Sequence, residues 1–244
     1  MEAIGVIPAR YSSTRFQGKI LADICGRPMI QHVWEQAKEA RLLDDVIIAC
    51  DEEEVFKVAS DFGANCVMTS KGHLSGSDRI TEVISPLEVK VVVNIQADEP
   101  LIKPIMIDSL AETLIRDDSV YMATLIKQIE DAEEVNNPNA VKVVVDKNNF
   151  ALYFSRAAIP FPADKKFNPV YYKHIGLYAY TKDFLFRYKN ILPSSLERAE
   201  KLEQLRVLEE GLRIKVIETK FDTIGVDTPA DLEKVTQILS GEQK

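Results

Sequence analysis

A chain of 244 residues, 46% hydrophobic and 28% charged, has room for one large α/β domain or two small ones and is not of disordered composition. Its formal net charge of -8 argues against a general nucleic-acid binder, so a bound phosphate needs a local cation cluster or a divalent metal. Three cysteines, Cys25, Cys50 and Cys66, lack CxxC or zinc spacing and suit a reducing, cytoplasmic compartment; no signal-peptide pattern and no run of transmembrane length is visible.

The first apolar strand runs from Ala3 to Ile7 and stops at Pro8. Gly5 to Lys19 (GVIPARYSSTRFQGK) then sets Arg10, Arg15 and Lys19 among Ser12, Ser13, Thr14 and Gly18. Small residues let backbone N–H groups turn toward a ligand, and with fixed cations such a loop suits a polyphosphate. A solvated basic loop accounts for three cations equally well. The loop is not a Walker A, because Ser13 stands in place of its Gly and Ile20 in place of its Ser or Thr. No GxGxxG fingerprint occurs.

Further along, the spacing of Ile30, Val33, Trp34 and Ala37 predicts a helix over Pro28 to Ala40. Val46 to Cys50 reads as a buried strand. Asp51 then reads as the cap of a helix over Glu52 to Phe62, with Glu54 in the capping-box place and Gly63 as the stop. Asn65 to Met68 is the next strand, and the alternation points to a parallel sheet covered on both faces. Thr69 to Gly76 is a small, polar loop. The helix after it, from Ser77 or Asp78 to about Ile84, carries Arg79 in its first turn, where a cation opposes the helix dipole and asks for a nearby anion. Val89 to Ile95 is the most strand-like run and ends in Gln96-Ala97-Asp98-Glu99-Pro100. Acids just past the carboxyl end of a central parallel strand lie where α/β proteins bind ligands; a turn with a helix-capping acid is the competing explanation.

Pro104 opens a helix to about Ile115. Tyr121 to Ile129 and Val141 to Asp146 read as longer strands, and Ala151 to Ser155 returns as a hairpin, so the sheet is expected to be mixed. Pro160 to Pro169 is irregular and reads as a linker, a lid or a subunit contact. Tyr171 to Tyr180 is a strand. Leu196 to Glu210 reads as one helix with Leu202, Leu205 and Leu208 inward; Arg213 to Glu218 is a strand, and Gly225-Val226-Asp227-Thr228-Pro229 leads into a last helix to Leu239. One domain over 1–244 is expected.

Asp98 and Asp227 stand out by position. Two carboxylates facing a triphosphate would make a Mg²⁺ site, since Mg²⁺ takes one or two carboxylates with water and phosphate oxygens. Asp227 as a helix N-cap is the alternative. Neither a zinc-type His/Cys cluster nor a GxSxG elbow occurs.

Taken jointly, PAR-x-x-S-T-R-x-x-G-K, QxDEP and the late GVDTP resemble a sugar nucleotidyltransferase, more narrowly the CMP-sugar synthetases. IPARYSSTR, the His73 to Arg79 run, NPNAVKVV, FNPVYYKHIGLYAY in outline, ALYFSRAAIP, LEQLRVLEEG and GVDTPADLE resemble the branch that activates 3-deoxy-manno-octulosonate (Kdo), over Ile4 to about Glu233. Two departures are Phe16-Gln17 where that family has Leu-Pro, and Ala97 where it has Gly. The resemblance implies a Rossmann-like nucleotidyltransferase three-layer sandwich with a mixed, mostly parallel sheet and a small β-rich dimerisation subregion over about 150–180. The implied reaction is CTP plus Kdo giving CMP-Kdo and pyrophosphate, for lipopolysaccharide synthesis, with Mg²⁺ as cofactor and a homodimer as the expected state.

By the same resemblance Lys19, Arg10, Asp98 and Asp227 are catalytic, and Asp98 and Asp227 hold the metal. Pro8, Ala9, Arg10, Ser12, Arg15, Lys19, Thr69, Ser75, Gly76, Arg79 and Gln96 would bind CTP. Gln96, Arg156, His174, Tyr178, Glu203 and Gln204 would bind the sugar. The alternatives are a cytidylyltransferase for 8-amino-Kdo or sialic acid, though sialic-acid enzymes more often carry Gly-Gly-Ser where this chain has Tyr11-Ser12-Ser13, and a non-catalytic nucleotide-binding regulator.

Overall fold

The computed structural model describes residues 1–11, 16, 18–73, 75–164 and 166–241. The chain enters directly on β1 (Ala3–Ala9), and after one turn of 3₁₀ helix at Lys19–Leu21 makes a short hairpin of β2 (Asp23–Ile24) and β3 (Arg27–Pro28). Then come α1 (Met29–Lys38), β4 (Asp45–Cys50), α2 (Glu53–Asp61), β5 (Asn65–Met68), α3 (Gly76–Ile84), β6 (Val91–Asn94) and α4 (Pro104–Arg116), in the predicted alternation. The second half holds β7 (Met122–Gln128), α5 (Ala132–Asn136), β8 (Lys142–Val145), β9 (Ala151–Ser155) and β10 (Tyr172–Thr181). It closes with α6 (Lys182–Lys189), α7 (Ser195–Glu200), α8 (Leu205–Glu209), β11 (Lys215–Glu218) and α9 (Pro229–Ser240).

The sheet runs β11-β7-β10-β6-β1-β4-β5, with the β8–β9 hairpin attached through β10. β1 lies parallel to both β4 and β6, β5 to β4 and β11 to β7; β10 alone on this path opposes its neighbours β6 and β7. The expected hairpin is the β8–β9 pair, and the reversal at β10 makes the sheet mixed. Alternation along β1 sorts the core into two layers. Ala3, Ile7 and Ala9 join Met29, Ile30 and Val33 of α1 and Ile107 and Leu110 of α4. Ile4 and Val6 join Ile80 and Ile84 of α3 and Phe184 and Leu185 of α6 on the other face.

Several expectations change. The helix expected over Leu196 to Glu210 is two short helices. Ser194 and Glu197 form a capping box at the first, and Lys201, in the left-handed region at φ 56°, ends it. The apolar spacing belongs to Leu202 in the connection and to Leu205 and Leu208 of the second helix, which pack on one core, while the first helix buries no residue; Glu203 and Gln204 lie in the connection. Asp51 does not cap α2; Glu52 takes that place without a side-chain cap, and Asp51 turns to the site described below. The helix α6 is not among the elements expected from the sequence; its signal is Thr181, whose hydroxyl accepts the Phe184 N–H at the end of β10.

Candidate active site

β1, β4 and β6 are parallel neighbours, so their carboxyl ends share one rim, and Arg10, Asp51 and Asp98 each follow one of these strands. Lys19 reaches this rim from its 3₁₀ turn. Gly18 precedes it at φ 69°, a conformation that a side chain resists, and donates its N–H to the Tyr11 carbonyl to close the base of the loop. Lys19 Nζ lies 2.5 Å from Asp98 Oδ2, 3.0 Å from Asp227 Oδ1 and 3.0 Å from the Val226 carbonyl oxygen. The Val226 N–H donates to the Asp98 carbonyl at 2.9 Å, so the two acid-bearing segments are tied by backbone as well. Thr228, not Asp227, caps α9, in a capping box with Asp231, and this turns Asp227 toward Lys19. Burial pulls the Lys19 pKa down, but Asp98 and Asp227 outweigh it and hold the ammonium above the ordinary lysine value.

Two carboxylate oxygens within 3.0 Å of one point, occupied by an ammonium, form a hard-oxygen cation site. Among the described residues no group of three or more His, Cys, Asp or Glu assembles, so a dedicated all-protein metal cage is not what this site offers. A two-carboxylate set fits Mg²⁺ completed by water and phosphate oxygens.

Beneath the loop lies a buried network. Arg79 Nη2 donates to Asp51 Oδ2 at 2.7 Å, and Nη1 donates to the Thr69 hydroxyl, which itself donates to the Cys50 carbonyl at 2.9 Å. Asp51 Oδ1 accepts the Tyr11 N–H at 3.2 Å. The anion that Arg79 asks for is therefore Asp51. Its position one residue past β4, on the same rim as Asp98 beyond β6, is the signal that its reading as a helix cap obscures. Arg79 and Thr69 stand under the loop, committed to this network, while the exposed Arg10 donates from Nη2 to the His73 carbonyl at 2.6 Å. His73 also pairs with Glu82, whose carboxyl this bond holds below the usual range. The Ser75 hydroxyl caps α3 in a capping box with Asp78. Gly76 begins that helix, and a Cβ there would sit 3.3 Å from Pro8. Pro8 is half-buried and Ala9 fully buried at the end of β1. Ser12 and Arg15 lie outside the described residues.

Next to the rim is a cavity of about 310 Å³ that brings together Gln96, His174, Tyr178, Glu203 and Gln204. Arg156 is not part of its wall: Nε donates to the Glu200 carbonyl at 2.7 Å and Nη1 to the Pro138 carbonyl at 2.9 Å. Burial holds the His174 pKa at about 3, so its imidazole is neutral, with Nε2 2.9 Å from the Thr124 hydroxyl. The cation on this wall is Lys201. Burial also raises the Tyr178 and Tyr188 phenols far above their ordinary values and keeps them as neutral hydrogen-bonding groups. Asn94, Ser77, Tyr180 and Tyr188 also line the wall and are not among the residues expected from the sequence. For Asn94 a signal existed: it is the one polar residue in the run Val91 to Ile95. A larger cleft of about 990 Å³ shares His174 and Gly176 and is lined by Glu99, Lys173 and Asp222 among others.

A parallel-centred sheet with a cation loop after β1 and two carboxylates across the rim defines a nucleotidyltransferase of Rossmann-like fold. A family model for cytidylyltransferases matches residues 4–214. The 3-deoxy-manno-octulosonate cytidylyltransferase of Solibacter usitatus is 51% identical over 96% of this chain and 93% of its own length. That of Geotalea uraniireducens is 49% identical over 98% and 99%. A solved structure of CMP:2-keto-3-deoxy-manno-octonic acid synthetase in complex with CTP superposes with a TM-score of 0.94 at 42% identity, covering both chains fully. A cytidylyltransferase from Leptospira borgpetersenii, 16% identical over 100% of this chain and 89% of its own, shares the fold at a TM-score of 0.65. The chain belongs to the cytidylyltransferase family and, within it, to the 3-deoxy-manno-octulosonate cytidylyltransferases.

Proposed function

We propose that this chain transfers CMP from CTP to Kdo. The sugar's anomeric oxygen attacks the α-phosphorus, the bond to the β-phosphate oxygen breaks, pyrophosphate leaves, and the hydroxyl proton is released. Such a displacement needs alignment and charge neutralisation more than covalent help. The observation that carries the reading is the Lys19 ammonium held between Asp227 and Asp98, which lies two residues along the chain from Gln96 in the wall of the 310 Å³ cavity.

In this reading Arg10 and Lys19 neutralise the triphosphate, with Arg15 in the same loop. Asp98 and Asp227 would hold Mg²⁺, which when bound supplies charge neutralisation on phosphate oxygens and acidifies the attacking hydroxyl. With Mg²⁺ held by the two acids, Lys19 would be free to neutralise charge on the transferring phosphate. Gln96, His174, Tyr178, Glu203 and Gln204 position the sugar. The cation met by the Kdo carboxylate is Lys201 or Lys19, because His174 is neutral and Arg156 is committed elsewhere.

A homodimer formed through the 150–180 region is part of the same proposal; Phe161 and Phe167 in that region are 85% and 66% exposed. So is a cytoplasmic location, which suits a chain that uses CTP. The test is pyrophosphate release with Mg²⁺, each of the four nucleoside triphosphates and a panel of 2-keto sugar acids. Release confined to CTP with Kdo supports the reading; no release from any pair overturns it.

A further inference from the structure

Asn94 ends β6 with its side chain 4% exposed, and Gln204, at the start of α8, is 5% exposed. Both line the 310 Å³ cavity. Asn94 Oδ1 and Gln204 Nε2 have no hydrogen-bond partner among the described residues. A buried acceptor and a buried donor left unpaired on one cavity wall cost the ligand-free protein free energy, and native structures retain such groups where something outside the chain completes them. The sheet register fixes their surroundings. Asn94 lies directly across from Tyr178, so the two side chains share a face, with Tyr180 two residues on. The Tyr180 phenol is pushed up first by burial and by Glu203, while Asn94 and Ser77 beside it draw it back. The Asn94 side chain is thus hydrogen-bonded at the Tyr180 phenol, while its Oδ1 has no partner among the described residues.

We propose that Asn94 is a sugar-contacting, specificity-determining residue whose Oδ1 accepts a hydrogen bond from a hydroxyl of the polyhydroxylated acceptor. This rests on the reading of the cavity as the Kdo site. From Asp98 at the reacting end, the chain leads back through Gln96 to Asn94, so Asn94 reads a hydroxyl remote from the reacting carbon. Hydroxyls both donate and accept, so a polyhydroxylated acceptor carries the partners that Asn94 Oδ1 and Gln204 Nε2 each lack.

The test uses the full chain with Asn94→Leu and Asn94→Asp, measuring pyrophosphate release with Kdo varied at saturating CTP and then the reverse, with melting temperatures of the ligand-free proteins. The leucine variant, which removes the orphaned oxygen, is expected to raise the KM for Kdo at least tenfold, to leave the KM for CTP within twofold, and to melt no lower than wild type. The aspartate variant keeps an acceptor oxygen and is expected to recover most of the KM for Kdo. Turnover by the leucine variant with a KM for Kdo within twofold of wild type overturns the proposal. So does an equal rise in both KM values in the two variants. If the leucine variant does not fold, Asn94→Ala against Asn94→Asp makes the same comparison, and equal KM values for Kdo overturn it. Failure of wild type itself to release pyrophosphate from CTP and Kdo would instead strike the underlying reading.

Discussion

Asp51 and Arg79 form an ion pair, Oδ2 to Nη2 at 2.7 Å, with their side chains 7% and 2% exposed. The pair lies under the end of β1, because the other oxygen of Asp51 accepts the Tyr11 N–H. Removing one partner strands a buried charge, at a cost of about 3–5 kcal/mol. Asp51→Ala is therefore expected to lower the melting temperature sharply, and Asp51→Ala with Arg79→Met to recover most of it. Against that double variant, Asp51→Asn with Arg79→Met keeps an acceptor for Tyr11 and should show the lower KM for CTP. Equal CTP values in the two doubles would remove the Tyr11 contact from nucleotide binding.

Much of this site is legible in the sequence because strand ends are. Asp98 follows the most β-branched run of the chain, and in a parallel sheet that location is the ligand-binding rim. Lys19 and Asp227 need more: the left-handed turn at Gly18 and the Thr228–Asp231 capping box decide where each side chain points, and neither appears as periodicity. Asp51 shows the limit. An acid between a strand and a helix has two uses, and only the packing of Arg79 from α3 selects the second. The break at Lys201 is hidden for a similar reason, since Leu202, Leu205 and Leu208 after it keep helical spacing while the backbone turns at Lys201.

Burial depresses the His174 pKa from 6.5 to about 3. Between these values the unfolded chain takes up a proton that the native state refuses, so this residue makes stability fall as pH falls, by up to about 1.4 kcal/mol per pH unit. Glu99 works the other way: burial and then Asp98 raise it to about 7, and the native state keeps a proton that the unfolded chain releases. The wild-type profile contains both trends, so the informative quantity is a difference. Denaturant melts of wild type and His174→Asn from pH 7 to pH 4 are expected to show the variant losing less stability on acidification. Parallel curves would mean that His174 is protonated in the native state.

Phe161, Phe167 and Val170 are 85%, 66% and 51% exposed on the irregular stretch after β9, and Leu152 on β9 itself is 60% exposed. Large exposed apolar side chains close together in sequence suit an interface. Phe161→Asp with Phe167→Asp is expected to halve the mass seen by light scattering while leaving the melting curve of the monomer cooperative, because neither ring belongs to the two core layers. An unchanged mass would place the subunit contact elsewhere or make the protein a monomer.

Lys19 occupies the point on which Asp98 and Asp227 converge, so it competes with any metal for the same oxygens. Lys19→Met removes that competitor and also the cation assigned to the transferring phosphate, and the two effects have opposite signs. Turnover is expected to fall about 10²–10³-fold, the scale for losing one preorganised charge-stabilising group. Mg²⁺ alone, without nucleotide, is expected to raise the melting temperature of the variant more than that of wild type, since the two carboxylates are left facing each other. Adding Asp98→Asn to Lys19→Met should abolish that extra shift. If Mg²⁺ moves wild type and Lys19→Met equally, Asp98 and Asp227 do not hold the metal, and Lys19 stands between them as a structural ion pair only.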